Sequence, residues 1–148
     1  MITLRSFQKE DALLLHQRKY GDLSLEQIQN LIFEWNQKQV NGQYFEMFAI
    51  VCEEKIIGTI SMFQHSKHIL SIGPEIFSEY RRNGFAKEAM VLTLEKAREQ
   101  GYQMVFQQIR IDNMASVALH LSLGFETNGF VYANSKGHQV SIYLKNLI

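Results

Sequence analysis

Glu79-Tyr80-Arg81-Arg82-Asn83-Gly84-Phe85-Ala86 places two guanidinium groups and a glycine directly ahead of the longest helical pattern in the chain. That combination suits an anion. The first N–H groups of a helix lack intrahelical partners and sit at the positive end of its dipole. Gly84 allows backbone to approach a ligand with no Cβ between them, and Ala86 keeps the following turn small. Arg81 and Arg82 add charge-assisted donors. The geometry suits a pyrophosphate. The same residues also make an ordinary solvated helix start, because glycine is common there and adjacent arginines usually face water. Two familiar phosphate loops are excluded: no G-x-x-x-x-G-K-[ST] occurs, and only one glycine of the dinucleotide fingerprint is in place.

A second segment, Asn113 to Leu121, divides into two helical rows. Met114, Val117, Ala118 and Leu121 form an apolar stripe expected to face the core. Asn113, Ser116 and His120 stand at i, i+3 and i+7 on a neighbouring face. Such a polar row is either solvated surface or the wall of a groove that hydrogen-bonds an amide-rich, extended ligand arm.

Other reactive side chains point to little chemistry. Cys52 ends the apolar run Phe48-Ala49-Ile50-Val51 and reads as a buried core thiol rather than a nucleophile. His65 and His68 are three apart, a spacing that splits them across faces in a strand or turn, and no third ligand is evident, so no metal is expected. Tyr20, Trp35, Phe45 and Phe63 could shape an acceptor pocket, although aromatics at such positions are usually core. The loop at Gly21-Asp22 and the turn at 135–138 are further candidate acceptor walls.

The elements that must position these residues follow from periodicity. A strand near 2–5 leads to a helix starting around Lys9 to Asp11. Ser24-Leu25-Glu26-Gln27 resembles a capping box, and Leu25, Ile28, Ile32 and Trp35 keep helical spacing to about Gln39. Phe45–Cys52 and Ile56–Phe63 read as a hairpin turning at Glu53-Glu54-Lys55, and Ile69–Phe77 as a strand with a bulge or break at Gly73-Pro74. A helix over 84–100 is stopped by Gly101. Then come a strand over 102–111, a short helix over 113–123 ended by Gly124, and a hairpin over 126–147. This order predicts an α/β domain spanning 1–148. Its sheet is mixed and mainly antiparallel, with parallel pairing near the centre and helices on both faces.

The 148 residues carry 15 Lys plus Arg against 15 Asp plus Glu, a balance that excludes a protein gripping nucleic acid or acidic membrane through a broad basic field. No apolar run approaches the roughly 20 residues of a membrane span. The chain starts on a strand-like alternation without a signal-peptide pattern, and a single cysteine precludes an internal disulfide, so a reduced cytoplasmic setting is expected.

With these residues in view, the chain resembles the GNAT superfamily of N-acetyltransferases. Arg81 to Ala86 is similar to the family's [RQ]-x-x-G-x-[GA] acyl-CoA loop. Asn113 through Leu119-His120 and on to Leu123-Gly124-Phe125 is similar to its N-x-x-[AS]-x-x-L-Y-x-x-x-G-F segment. The element order matches over nearly the whole chain. Ile72 to Phe77 and Gly84 to Ala89 resemble in particular the branch that acetylates protein N-terminal amines, such as those of ribosomal proteins.

The resemblance implies acetyl-CoA as acyl donor and an unidentified amine as acceptor, in a monomer or homodimer. Backbone at Ile76, Phe77 and Ser78 would pair with the amides of the pantetheine arm. N–H groups from Arg82, Asn83, Gly84, Phe85, Ala86 and Lys87 would hold the pyrophosphate beside Arg81. Asn113 and Ser116 would contact the pantetheine or phosphate region from the opposite wall. Splaying of the strand at 69–77 from that at 102–111 would open the slot. Glu75 would serve as the base that deprotonates the amine, directly or through water, and an N–H near Ile76 would face the oxyanion. His120 stands where the family usually has the tyrosine that protonates the leaving thiolate, and imidazolium could donate that proton. The same departure suits an alternative, an acyl-CoA-binding regulatory module without turnover.

Overall fold

A computed structural model describes all 148 residues, Met1–Ile148. The chain builds eight strands and four α-helices: β1 (Ile2–Ser6), α1 (Ala12–Arg18), α2 (Leu25–Trp35), β2 (Gln39–Val40), β3 (Gln43–Cys52), β4 (Lys55–Ser66), β5 (Ile69–Ile76), α3 (Phe85–Glu99), β6 (Met104–Arg110), α4 (Met114–Ser122), β7 (Tyr132–Ala133) and β8 (Gln139–Asn146). The hydrogen-bonded strand order is β1-β3-β4-β5-β6-β8-β7, with β2 on β3. The β5–β6 pair is parallel, and the other registered pairs are antiparallel. The mixed, mainly antiparallel α/β fold is therefore the one the sequence predicts. No helix is long and apolar enough to cross a membrane.

Two compact units share the chain: Met1–Phe63 with Gly73–Ala89, and Gln64–Ile72 with Met90–Ile148. In the first, Phe7, Leu15, Ile28, Ile32, Trp35, Ala49 and Phe77 form one buried cluster, and Tyr20, Phe45 and Tyr80 pack on it half-buried. α2 enters through the expected capping box, with Gln27 N–H donating to Ser24 Oγ and Ser24 N–H to Gln27 Oε1. Such a cap contributes about 1 kcal/mol. In the second unit, β6 and β8 pair over seven residues, from Met104↔Asn146 to Arg110↔Val140.

Four details differ from the sequence reading. α2 ends at Trp35 rather than near Gln39, because Asn41 and Gly42 both take positive φ and turn β2 back onto β3. Asn-Gly is the commonest chemistry of such a two-residue turn. β5 runs unbroken through Gly73-Pro74. Cys52 is half-buried at the end of β3, across from Ile2 and Lys55. Lastly, Met114 and Leu121 are exposed, while the polar row of α4 turns inward at His120.

Candidate active site

The loop entering α3 has the form of an anion cradle. Arg82 and Gly84 take positive φ of 65° and 76°, while Asn83 between them bonds its side-chain amide to the carbonyls of Tyr80 and Arg81. The chain thus turns twice before its first helical bond, from Glu88 N–H to Gly84 O, which leaves the N–H groups of Phe85, Ala86 and Lys87 without intrahelical acceptors. Backbone turned in this way makes an anion-binding concavity. Arg81, Arg82, Asn83 and Gly84 are exposed, as binding requires. Arg81, however, spends its Nε–H on Ile76 O at 2.9 Å, so the side chain braces the end of β5 and only its terminal nitrogens face outward. A Cβ on Gly84 would meet nothing within 4 Å, so the protein's own packing does not demand glycine there, and the φ of +76° is the constraint. Gly84→Val is expected to lose about 1–2 kcal/mol of stability through that backbone conformation. It should weaken acetyl-CoA binding by far more than this loss explains, as calorimetry beside a denaturant titration would show.

Just upstream, β5 offers an edge. The N–H and C=O of one strand residue point to the same side, and successive residues alternate. Phe77 N–H donates to Ile57 O at 2.9 Å, and Glu75 O lies against Gly58, so Gly73, Glu75 and Phe77 face β4. Ile72, Pro74 and Ile76 therefore face the other edge. Proline sits here without interrupting the strand because the donor it lacks belongs to that edge. Of the three backbone positions assigned to the pantetheine, Ile76 has its N–H on this edge. Phe77 gives its N–H to Ile57 O, and its carbonyl accepts from Tyr80 N–H. Ser78 lies in the short 3-10 turn that follows, exposed, with its carbonyl accepting from Arg81 N–H.

Glu75 carries an ion pair that the sequence does not announce. Lys19, just past the end of α1, bonds to its Oε1. Oε2 has no partner, and the carboxylate side chain keeps 42% exposure, so one oxygen remains open to a proton. Tyr20 flanks the pair, its ring 6.3 Å from that of Trp35 and 5.6 Å from Lys19 Nζ. Burial raises the Tyr20 phenol above its ordinary range; Lys19 opposes the rise and Glu75 adds to it. Of the four aromatics considered for an acceptor pocket, Trp35 is buried core and Phe45 packs edge-on against Phe63 at 6.4 Å. His65 meets Ser71 Oγ at 2.6 Å through Nε2.

α4 treats its polar row differently from the sequence reading. Asn113 is the N-cap, its Oδ1 accepting from Ser116 N–H at 3.1 Å, and both residues keep partial or full exposure. His120 is 3% exposed, between the rings of Phe125 and Tyr143 at 4.8 and 6.4 Å. Its Nδ1 lies 2.7 Å from Ser116 O, and its Nε2 lies 3.1 Å from Gln107 Nε2. Burial lowers the imidazole pKa below 6.5, opposed by the Ser116 carbonyl. Met114, Ala118 and Leu121 stay exposed and Val117 half-buried, while the buried histidine and glutamine satisfy each other. Gln107 was detectable only as a polar residue in the inward phase of Val105-x-Gln107-x-Ile109. A histidine whose folded pKa is depressed contributes stability above the unfolded value near 6.5 and loses it as pH falls toward the folded value. The urea midpoint is therefore expected to drop between pH 7 and 5, and to drop less in His120→Leu, although that variant starts lower.

Comparison with known proteins bears on the family of the chain. A sequence model of the acetyltransferase (GNAT) domain matches residues 2–126. The SPbeta prophage-derived uncharacterized N-acetyltransferase YokL of Bacillus subtilis is 29% identical over 137 residues, covering 86% of this chain and 77% of the relative. Among solved structures, the Salmonella typhimurium acetyltransferase that modifies the N-terminal serine of ribosomal protein L7/L12 superposes with TM-score 0.80 at 19% identity, covering 98% of this chain and 94% of that one. The putative acetyltransferase yncA of Salmonella typhimurium, solved with acetyl-CoA, gives TM-score 0.75 at 13% identity over 100% and 95% of the two chains. Spread over nearly all of the chain and joined to the cradle at α3, these likenesses identify it as an N-acetyltransferase of the GNAT family.

Proposed function

We propose that the chain moves the acetyl group of acetyl-CoA to a primary amine by direct attack of the amine on the thioester. The observation that carries this reading is the pairing of an anion cradle at Arg82–Lys87 with the strand edge that ends in Ile76 N–H, in one continuous stretch of chain. The cradle suits a pyrophosphate, and the edge suits an extended amide arm. Acetyl-CoA supplies both, together with the activated carbonyl. Arg81, Asn83 and Gly84 shape the cradle, and Phe85, Ala86 and Lys87 supply its free N–H groups. Asn113 and Ser116 are proposed cofactor contacts on α4, whose N-terminus Asn113 Oδ1 already caps.

Glu75 is the proposed base, acting through Oε2 while Lys19 fixes Oε1. The need for it depends on the amine. A lysine-like amine with pKa near 10.4 must lose a proton at a cost of about 4.6 kcal/mol at pH 7, whereas an α-amine near 7.7–8.0 costs about 1–1.4 kcal/mol. Ile76 N–H, on the open edge, is the proposed donor to the oxyanion, a contribution of about 2.7–4 kcal/mol in comparable sites. A thiol with pKa near 8.5 leaves as thiolate at about 2 kcal/mol at pH 7, so an acid matters less than the base for a lysine-like amine and slightly more than the base for an α-amine. For His120 to fill that part it must first be protonated, and an Nε2–H would then oppose the amide N–H of Gln107. A protein N-terminal amine is the proposed acceptor class, on the resemblance at Ile72 to Phe77 and Gly84 to Ala89.

Thiol release from acetyl-CoA, measured against an amine panel of N-terminal peptides, lysine and spermidine, tests the reading. Turnover with the peptides above the others is expected. Turnover confined to spermidine or lysine overturns the acceptor class, and none with any amine, together with no acetyl-CoA binding by calorimetry, overturns the whole.

A further inference from the structure

We propose that Gln107 is a positioning residue for acetyl transfer: its carboxamide anchors Ile72 where the β5–β6 ladder ends and holds His120 as a neutral imidazole with its proton on Nδ1. The parallel ladder registers Ile69 with Met104 and Leu70 with Val105, and there it stops. Two residues on, a side chain takes over. Ile72 N–H donates to Gln107 Oε1 at 3.0 Å, and Gln107 Nε2 donates to Ile72 O at 2.6 Å. Ser71 Oγ adds a second side-chain bridge, donating to Phe106 O.

These contacts settle the amide orientation. A backbone N–H only donates and a carbonyl only accepts, so the atom facing Ile72 O is the nitrogen. The remaining hydrogen of that nitrogen points to His120 Nε2 at 3.1 Å, which must accept. Nδ1 then carries the ring proton and donates to Ser116 O. Protonating Nε2 would set donor against donor in a site where Gln107 is 6% and His120 3% exposed. No charged group offsets this, because the rings facing His120 are Phe125 and Tyr143, with Ser116 on its own helix.

The consequence for the reaction lies along the free edge of β5. Gln107 occupies both polar groups of Ile72, and Pro74 has no N–H, so Ile76 keeps the one N–H between Ile72 and the end of the strand. A ligand carbonyl drawn along this edge meets a single donor and therefore a single register. Without Gln107, a second N–H opens four residues upstream and the arm can slip. Rate then suffers more than affinity. This consequence rests on the acetyl-CoA reading above; the hydrogen-bond assignment does not.

Ring-nitrogen NMR of the ligand-free protein tests the assignment directly. His120 is expected with Nδ1 protonated and Nε2 bare at neutral pH, and loss of its signal in His120→Leu assigns it and separates it from that of His16, whose Nδ1 faces Leu23 O at 2.9 Å. An Nε2–H tautomer for His120 overturns the proposal. Gln107→Glu replaces the donor with an anionic acceptor and is expected to raise the His120 pKa by at least one unit; an unchanged titration overturns the contact. Gln107→Leu is expected to lower kcat about 10- to 100-fold with the acetyl-CoA Kd within threefold. Equal losses in both, or none, overturn the positioning role. Absence of acetyl-CoA binding in the wild type would defeat the functional reading instead. The wild-type spectrum decides the assignment even if a variant fails to fold.

Discussion

Glu75→Gln is expected to lower kcat about 100- to 10,000-fold, the range over which a positioned base accelerates proton removal. The substitution preserves size and both heavy-atom positions but removes the lone pairs that take the amine's proton. Lys19 loses its anion as well, so Lys19→Gln is the necessary control. It keeps the carboxylate, removes only its tether, and should cost far less. Folding is barely affected in either case, because a half-exposed ion pair contributes about 0–1 kcal/mol and the Glu75 side chain is 42% exposed. The loss should be larger with an ε-amine than with an α-amine, following the proton-removal costs of about 4.6 and 1 kcal/mol. Raising the pH should restore the variant progressively as water takes over deprotonation. Thiol-release kinetics with acetyl-CoA affinity measured in parallel make the check. A kcat within threefold of wild type across the amine panel would remove Glu75 from the mechanism.

Gly58→Ala carries the second large effect, and no chemistry is involved. A Cβ at Gly58 would stand 2.1 Å from Glu75 O, 3.1 Å from Glu75 C and 3.0 Å from Ile76 Cα. All three are backbone atoms, so no side chain can swing aside, and β4 and β5 must separate. Overpacking of this kind costs about 1–3 kcal/mol, with the upper end expected here. The residues pushed are the proposed base and the bearer of the oxyanion N–H. A displacement near 1 Å costs about 100-fold in rate. Gly73→Ala is the contrast: its Cβ would meet Ser61 Oγ at 2.9 Å, the end of a side chain that can rotate. Thermal melts and thiol release should show Gly58→Ala damaged in both measures and Gly73→Ala close to wild type. Wild-type values for Gly58→Ala would mean that the two strands pack less closely than described.

Gly58 also marks how far the sequence could be read. A glycine within Ile56-Ile57-Gly58-Thr59-Ile60 signals a close backbone approach, but not which strand approaches. Gly73-Pro74 reads in sequence as a bulge or break, because which side of the strand is free depends on its neighbours. The stripe of Met114, Val117, Ala118 and Leu121 was read as core by apolarity alone. That reading prices a polar side chain as though it were always wet. Once Gln107 supplies a partner, the row with His120 is the one buried.

What the residues determine by themselves is local and periodic. Ser24 and Gln27 cap α2 across three residues, Gly101 and Gly124 end helices through positive φ, and alternation lays out the strands. The double turn at Arg82 to Gly84 that opens α3 forms for the same reason: each contact spans no more than a helical turn. Tertiary structure alone decides contacts between distant residues. Lys19 reaches Glu75 across 56 positions, and Gln107 reaches Ile72 across 35 and His120 across 13. Whether a carboxylate has a tether, or a histidine holds its proton on Nδ1 or Nε2, depends on the partner within 3 Å. Periodicity describes which way a side chain faces, while the partner it meets is set only when the strands and helices close on one another.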